Sequence, residues 1–489
     1  MQESANQTIT VVESPQIKKS TFAGDVLKLV SGTTIAQGLL VLASPLLARL
    51  YAPEDFGVLA LYISITSIVG VIACLRYELA IMLPESDGEA ANLLGVSLLF
   101  TAVITGLSTL VIWLWGESLL LWLNAPGMTP YLWLIPLTIL LDGVFHALNY
   151  WNSRTKHFGR LSIARVTSSV STVSTQLGAG YAGIATGGSL IGANVVGKVI
   201  ATSTLGGQIW RDDRSIFKKS IRWREMLKGM ARHRKFPMIN LWALLLSNLS
   251  GQIPIFLLTY FFNSIIVGYY AFGYRMIQIP MSLIGNSIGQ VFFQRASVLK
   301  KNGKLPKILE ITIAQLIKIG LFPIFIICFF CEDIFFIVFG PDWHEAGIYA
   351  RILLGVGFIQ FVYSPISTIF SVHEKQQYGL LVNLLTFISR LFSFLIGGLI
   401  NNIYLTLILY SVTGVIAYLF AIFLALKLTK VKVNPSIIII LKHLLLCILI
   451  LPFLFLIKKI QINIYLNLLI AFLLIAGYFA VNYKTFKVV

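Results

Sequence analysis

Seven basic residues lie within or at the edge of long apolar stretches of the chain: Lys28, Lys198, Arg275, Lys318, Arg351, Arg390 and Lys442. Only two acids, Asp25 and Asp142, share those stretches. A Lys or Arg at mid-bilayer costs about 2.5–3.5 kcal/mol on insertion scales. Lys28 and Lys442 fall near stretch ends, where a long side chain can reach the interface. Lys198, Arg275 and Arg351 are six or more residues from an end, and Arg390 is near the middle of its stretch. These four must face protein or a wet cavity. With so few acids nearby, most of them are expected to lack a partner within the chain. A cavity lined by unpaired cations suits an anion. Arginine also suits phosphate, because its planar fork bonds two oxygens at once.

Each residue has a second reading. Arg275, in FGYRMIQIP, can bond helix ends. Arg351, two turns from one surface, can pair with Asp342 or Glu345. Arg390 has the strongest cavity case, and Lys198 is intermediate. Asp142, in LLDGVFHALNY, can cap or pair with His146 one turn on, or serve as a proton or sodium site. Asn248 and Gln252, with Asn240 and Ser250, make one stretch polar enough for a wet interior or a coupling ion. Asn286 and Gln290 do the same for the next. Gly251 with Pro254, and Pro280 with Gly285, predict helix breaks, which are tolerated at membrane depth where they line a cavity or form a hinge.

The elements that must hold these residues are membrane helices. Of 489 residues, 57% are hydrophobic and only 12% charged, against about 25% charged in soluble domains. The mean hydropathy is +0.83. A soluble enzyme, a disordered chain and a disulfide scaffold are thereby excluded. Apolar stretches near the length that crosses a bilayer recur at 22–47, 56–75, 91–115, 129–148, 163–181, 187–206, 236–261, 267–291, 311–331, 346–370, 377–399, 404–426, 437–457 and 463–482. They predict an all-α integral membrane protein of about fourteen transmembrane helices. The fifth is the most polar, because VTSSVSTVSTQLGAG is rich in residues that face other helices rather than lipid.

The net charge of +18 then needs a place. With the N-terminus in the cytoplasm, 28 of the 38 basic residues fall in inner loops and tails, and only Arg49, Lys458 and Lys459 fall outside. That asymmetry predicts cytoplasmic termini. Residues 1–21 carry no apolar core or cleavage site, so no signal peptide is expected there. Trp113, Trp115, Trp122, Trp151, Trp210, Trp223 and Trp343 lie near stretch ends, as an interfacial aromatic belt requires.

An internal repeat organises the helices. LYAPEDFGVLALY (50–62) follows the first stretch, and FFNSIIVGYYAFGY (261–274) follows the seventh; Gly57 and Gly268 align at an offset of 211. The expected organisation is a tail over 1–21, a six-helix lobe over 22–206 and a basic interfacial linker over 207–235. A second six-helix lobe spans 236–427, and a two-helix hairpin spans 428–489. Such repeats are typical of transporters, with the substrate between the two halves.

Other signals carry less. GANVVGKV (192–199) approaches a phosphate-binding loop but fails at Val199 and lies inside a membrane stretch, where the motif's strand is missing. No nucleotide or other cofactor is expected. Cys328 and Cys331 form C-x-x-C within an apolar run and are expected, like Cys74 and Cys447, to pack as small hydrophobes. No metal-ligand spacing and no hydrolase motif appears. The segment 207–235 holds ten Lys or Arg. Beside two spans it predicts an amphipathic helix on anionic lipid, not a nucleic-acid site.

The stretch 27–84 resembles the start of bacterial polysaccharide biosynthesis membrane proteins. These are the oligosaccharide-lipid flippases of O-antigen and capsule type in the multidrug/oligosaccharidyl-lipid/polysaccharide exporter superfamily. The resemblance rests on Arg49-Leu50, Pro53-Glu54-Asp55-Phe56-Gly57 and Arg76-Tyr77-Glu78. VGYYAFGYRMIQIP (267–280) looks like the second-half counterpart. The resemblance implies two six-helix lobes around a central, often cationic cavity, plus a C-terminal helix pair. It implies a non-enzymatic flippase in the bacterial inner membrane. Undecaprenyl-pyrophosphate-linked oligosaccharide, such as a lipopolysaccharide O-antigen unit, would pass to the periplasmic leaflet by alternating access with proton or sodium antiport. A polysaccharide polymerase and chain-length proteins are the implied partners. It supplies no strict motif, so Lys198, Arg275, Arg351 and Arg390 stand as anion contacts on charge alone. A multidrug exporter of the same superfamily is the rival, but it would want carboxylates for organic cations. A membrane polymerase would want large outer loops, and the longest here is residues 332–345.

Overall fold

The computed structural model describes residues 22–300, 305–431, 445–454, 456 and 463–486. Among these residues every regular element is a helix. The first half comprises α1 (Phe22–Leu50), α2 (Pro53–Gly70), α3 (Tyr77–Ala80), α4 (Asp87–Trp122), α5 (Leu134–Arg154), α6 (Phe158–Tyr181) and α7 (Gly187–Ser220). A short α8 (Trp223–Arg232) follows. The second half comprises α9 (Leu241–Phe261), α10 (Ser264–Leu299), α11 (Leu305–Phe329), α12 (Cys331–Phe339), α13 (His344–Ile366), α14 (Ile369–Val372), α15 (Gln376–Leu399) and α16 (Ile403–Thr429). Last come α17 (Leu445–Leu454) and α18 (Ile464–Phe486).

Side-chain capping fixes several helix starts. Ser86, Thr186, Asn263 and Asn402 each accept a backbone N–H from the first turn of α4, α7, α10 and α16, satisfying a donor that the helix leaves free. Pro53 opens α2, where its missing N–H costs nothing. The prolines inside α9 and α10 behave differently from expectation. Both helices continue through Pro254 and Pro280, because neighbouring helices hold the chain where one backbone bond is lost.

Ten described helical segments are long and apolar enough to cross a membrane, against about fourteen expected. The difference is chemical. α2 opens on Glu54 and Asp55, α6 is Ser/Thr-rich, and α10 carries Arg275, Gln278, Asn286 and Gln290. These helices fall short of the others on apolarity, not on length. The thirteenth expected span, 437–457, lies partly outside the described residues, as does 428–444, and the tail 1–21 lies wholly outside them. The side chains of Asp25 and Lys28 are outside them too. The linker 207–235 is largely helical, in two pieces rather than one: its first part extends α7, and its second is α8.

The helices sort into two groups. α1 packs on α6, α6 on α7, and α2, α4 and α5 complete the first. α10 packs on α13, α13 on α16, α16 on α15 and α15 on α9 in the second. α17 and α18 lie against α11, where Cys447, Leu454, Ala471 and Tyr478 bury with Phe322, Ile326 and Phe330. α8 caps one end of the first group, with Met226 buried and Asn92 of α4 accepting from the Arg222 backbone N–H at 2.9 Å.

Candidate functional site

The two lobes meet most closely where α2 crosses α10. The contact is reciprocal. A Cβ built on Gly57 would lie 1.8 Å from the Ser264 carbonyl oxygen, and one built on Gly268 would lie 1.8 Å from that of Pro53. Pro53 and Ser264 are themselves 211 residues apart, so both halves of the contact obey the offset read from the sequence. Around it Phe56, Phe272 and Trp343 pack edge-on or tilted, with ring centroids 4.2–5.2 Å apart. The Trp343 indole donates to the Ala48 carbonyl at 2.7 Å, and Arg49 donates to that of Ile337 at 2.8 Å. Backbone contact, edge-on and tilted rings and these bonds seal the bundle at this end. Nearer the other end, Ser64 donates to Gln252 at 2.8 Å, tying α2 to α9. Farther along α10, Asn286, Ser287 and Gln290 are exposed.

Arg275 sits on α10 seven residues past Gly268, about 10 Å along the axis at the helical rise. It is half-buried, and no acid pairs with it among the described residues. It therefore lies just beneath the sealed end, as a cation without a counter-ion among the described residues. Gln278, one turn on, donates to Gln360 at 3.0 Å.

Lys198 is arranged otherwise. Its ammonium is 2.7 Å from Asp142. The pair lines a polar pocket of about 300 Å³ within the first lobe, shared with Thr33, Gln37, Arg165 and Ser168. Arg165 donates to Thr33 at 2.5 Å. With two cations and one carboxylate, this pocket keeps a net positive charge. Arg165 falls at the very start of the expected fifth stretch, 163–181. The helix begins at Phe158 instead, which carries Arg165 two turns inward. The Ser168 and Ser169 that follow it are the signal that could have found it.

Arg351 pairs with Glu332, not with the expected Asp342 or Glu345. α12 begins at Cys331 and lays its first turn against α13, while Glu345 instead accepts from Tyr404 at 2.9 Å. Arg390 is held inside the second lobe. It donates to the Ser250 carbonyl at 3.2 Å and lies 5.8 Å over the Tyr410 ring. Two of the four deep cations thus have acid partners, against the expectation that most would be unpaired. Asn248 donates to Leu244 in its own helix at 3.0 Å. The structure thus clusters Lys198 with Asp142, ties Gln252 to α2, and leaves Arg275 at the seal.

A cleft of about 860 Å³ opens between α2, α4 and α5 on one side and α9 on the other. Its walls are almost wholly aliphatic and aromatic, including Ile68, Val111, Leu120, Phe256 and Tyr260. Among the described residues, no group of three or more His, Cys, Asp or Glu side chains is placed to hold a metal ion.

Solved structures show the same fold. The lipid II flippase MurJ in an inward closed conformation superimposes with a TM-score of 0.72 at 14% identity, over 94% of this chain and 99% of that one. An inward-facing multidrug resistance MATE family transporter of the MOP superfamily gives 0.57 at 14% identity, over 83% and 98%. The Vibrio cholerae MATE transporter VcmN gives 0.53 at 14% identity, over 82% and 94%. No curated protein matches the sequence significantly. A family model described as polysaccharide biosynthesis protein matches residues 46–347, more than half of the chain. The chain is a multi-pass membrane protein with the flippase and transporter fold, and it belongs to the polysaccharide biosynthesis protein family.

Proposed function

We propose that the protein flips undecaprenyl-pyrophosphate-linked oligosaccharide, an O-antigen or capsule-type repeat unit, from the cytoplasmic to the periplasmic leaflet of the bacterial inner membrane. The observation that carries this reading is Arg275, a cation without an acid partner among the described residues, one step beneath a sealed end between two repeated lobes. Such a position meets a phosphate group before the seal opens. Lys198 and Arg165 offer a second positive station in the first lobe. Arg351 and Arg390 act there as supports, because each already has a protein partner. The aliphatic cleft beside the lobes gives a polyprenyl chain an apolar path while its head crosses.

In this reading the basic end, with both termini and the 207–235 segment, faces the cytoplasm and anionic lipid. A proton or sodium gradient supplies the drive, and Asp142 and Gln252 are the candidate coupling groups. A polymerase and chain-length proteins consume the flipped unit. The test is deletion of the gene in its host. Complete lipid-linked repeat units should accumulate on the cytoplasmic face and surface polymer should fall. A deletion that leaves polymer intact and raises drug sensitivity would favour the multidrug reading, which the likeness to MATE transporters keeps in view.

A further inference from the structure

The Arg76-Tyr77-Glu78 motif has no part in the sites above, yet Arg76 and Glu78 form part of the wall of a partly open polar chamber. Leu75 and Arg76 both adopt left-handed backbone, φ 46° and 67°, a conformation that costs a non-glycine residue about 1–2 kcal/mol. The turn brings Arg76 to 3.1 Å from Glu78. Glu78 is only 3% exposed. Its second oxygen, the Arg76 Nε and the Asn149 Oδ1 are buried without a protein partner. All three residues, with His146 and Tyr150, line a cavity of about 220 Å³. Buried polar atoms are almost always satisfied, and at about 30 Å³ each several waters fit this space.

The chamber ends at Gly70 and His146, neighbours of Asp142, which does not itself line it. Gly70 forms part of its wall, and a Cβ on Gly70 would lie 3.1 Å from the Asp142 carboxylate. His146 is one turn from Asp142 on the same helix, and Asp142 opens on its other side to Lys198 and the anion pocket. The groups around Asp142 are Lys198 on α7, Arg165 on α6, Tyr62 on α2 and His146 on α5. Arg76 and Glu78 lie across the chamber from them. α1 presents Thr33 and Gln37 to the pocket, and α4 presents Thr101 beside Gly143.

We infer that an anion binding at Lys198 displaces Asp142, and that Asp142 then takes up a proton delivered through the Glu78–His146 chamber. The inference rests on the reading of Lys198 as a substrate contact. While the pair is intact, the Lys198 ammonium supports the Asp142 carboxylate at 2.7 Å. An anion at Lys198 removes that support and adds a like charge beside a partly buried carboxylate, and both changes favour the protonated form. One proton leaves water on the Glu78 side, is accepted by one ring nitrogen of His146 and released from the other, and ends on the Asp142 carboxyl. No other bond changes, and Lys198 keeps its charge. Anion and proton therefore bind together at this station. The sign is that of co-binding and is opposite to exchange: a proton taken up here travels with the anion, so it does not drive export, and the sodium gradient is left to supply the drive.

The test uses the full chain in nanodiscs with farnesyl pyrophosphate as probe. Binding is followed by calorimetry in two buffers of different ionisation enthalpy at about pH 8, well above the ~6 of a phosphate's second ionisation. The wild-type protein should take up close to one proton per bound probe, with affinity rising up to about tenfold per unit fall in pH. Asp142→Asn should bind with no uptake and a flat pH profile, while Asp142→Glu should restore both. Glu78→Gln should leave the stoichiometry alone and slow uptake seen by stopped-flow with a pH dye. Equal uptake by wild type and Asp142→Asn, or binding by wild type with no uptake, overturns the proton linkage and leaves the flippase reading standing. Failure of the wild type to bind the probe, or undiminished binding by Lys198→Ala, instead overturns Lys198 as a substrate contact and the linkage with it.

Discussion

Gly57 and Gly268 hold the two lobes together by lying each on the other's chain. The Ser264 carbonyl fills the space where a Cβ of Gly57 would stand, and the Pro53 carbonyl that of Gly268, each oxygen 1.8 Å from the Cβ position. No side-chain rearrangement can relieve such a clash, because the obstructing atoms are peptide groups.

The Gly57→Ala and Gly268→Ala variants should each prise this end apart. Overpacking typically costs about 1–3 kcal/mol, and here the open state avoids it. Val267, 1% exposed beside the contact, provides the reporter. In a Val267→Cys background a membrane-impermeant maleimide should label slowly, and several-fold faster once either glycine carries a methyl group. Unchanged labelling would mean that this contact does not gate access.

Arg275→Ala should abolish most surface polymer at matched protein level, with a reduction of tenfold or more, about 1.4 kcal/mol in effective binding. Arg275→Lys should retain part of the activity, since it keeps the charge but loses the fork. Thermal stability should change little in either. Full polymer with both variants would remove Arg275 from the pathway.

Arg390 should behave in the opposite way. Arg390→Ala leaves the Ser250 carbonyl without its donor, a loss of about 1–3 kcal/mol for a buried group. The melting temperature should fall, and polymer should decline only as far as the protein level does. Loss of polymer at an unchanged melting temperature would move Arg390 from a support to a substrate contact.

Arg351 and Glu332 offer a third pattern. The arginine side chain is 42% exposed, and an exposed pair contributes about 0–1 kcal/mol. A double-mutant cycle with Arg351→Gln and Glu332→Gln should give a coupling within that range and leave transport intact. A specific transport defect in Arg351→Gln alone would return it to the anion pathway.

Much of this architecture was legible in the sequence. The repeat showed itself because the crossing of α2 and α10 demands glycine at one position in each copy, whatever the flanking side chains. The deep cations showed themselves because lipid cannot hold them. Their partners did not. Glu332 lies nineteen residues before Arg351 in what read as an outer loop, and Asp142 reaches Lys198 from a helix fifty-six residues away. Such pairings depend on how helices rotate against one another, which periodicity does not specify. Arg165 was hidden by a helix that starts a turn earlier than its apolar residues do. Pro254 and Pro280 were misleading for a related reason: a breaker in an isolated helix is only a missing bond in one braced on several sides.

α7 and α10 run for 34 and 36 residues, about 51 and 54 Å at the helical rise, well beyond the ~30 Å hydrocarbon core. Each belongs to a different lobe. Tilting either lobe by a few degrees within the bilayer therefore sweeps its protruding tip through a wider arc than anything inside. The two shafts act as pointers on a dial. Their separation, read by a pair of spectroscopic probes in water, would report the position of a seal buried at the far end.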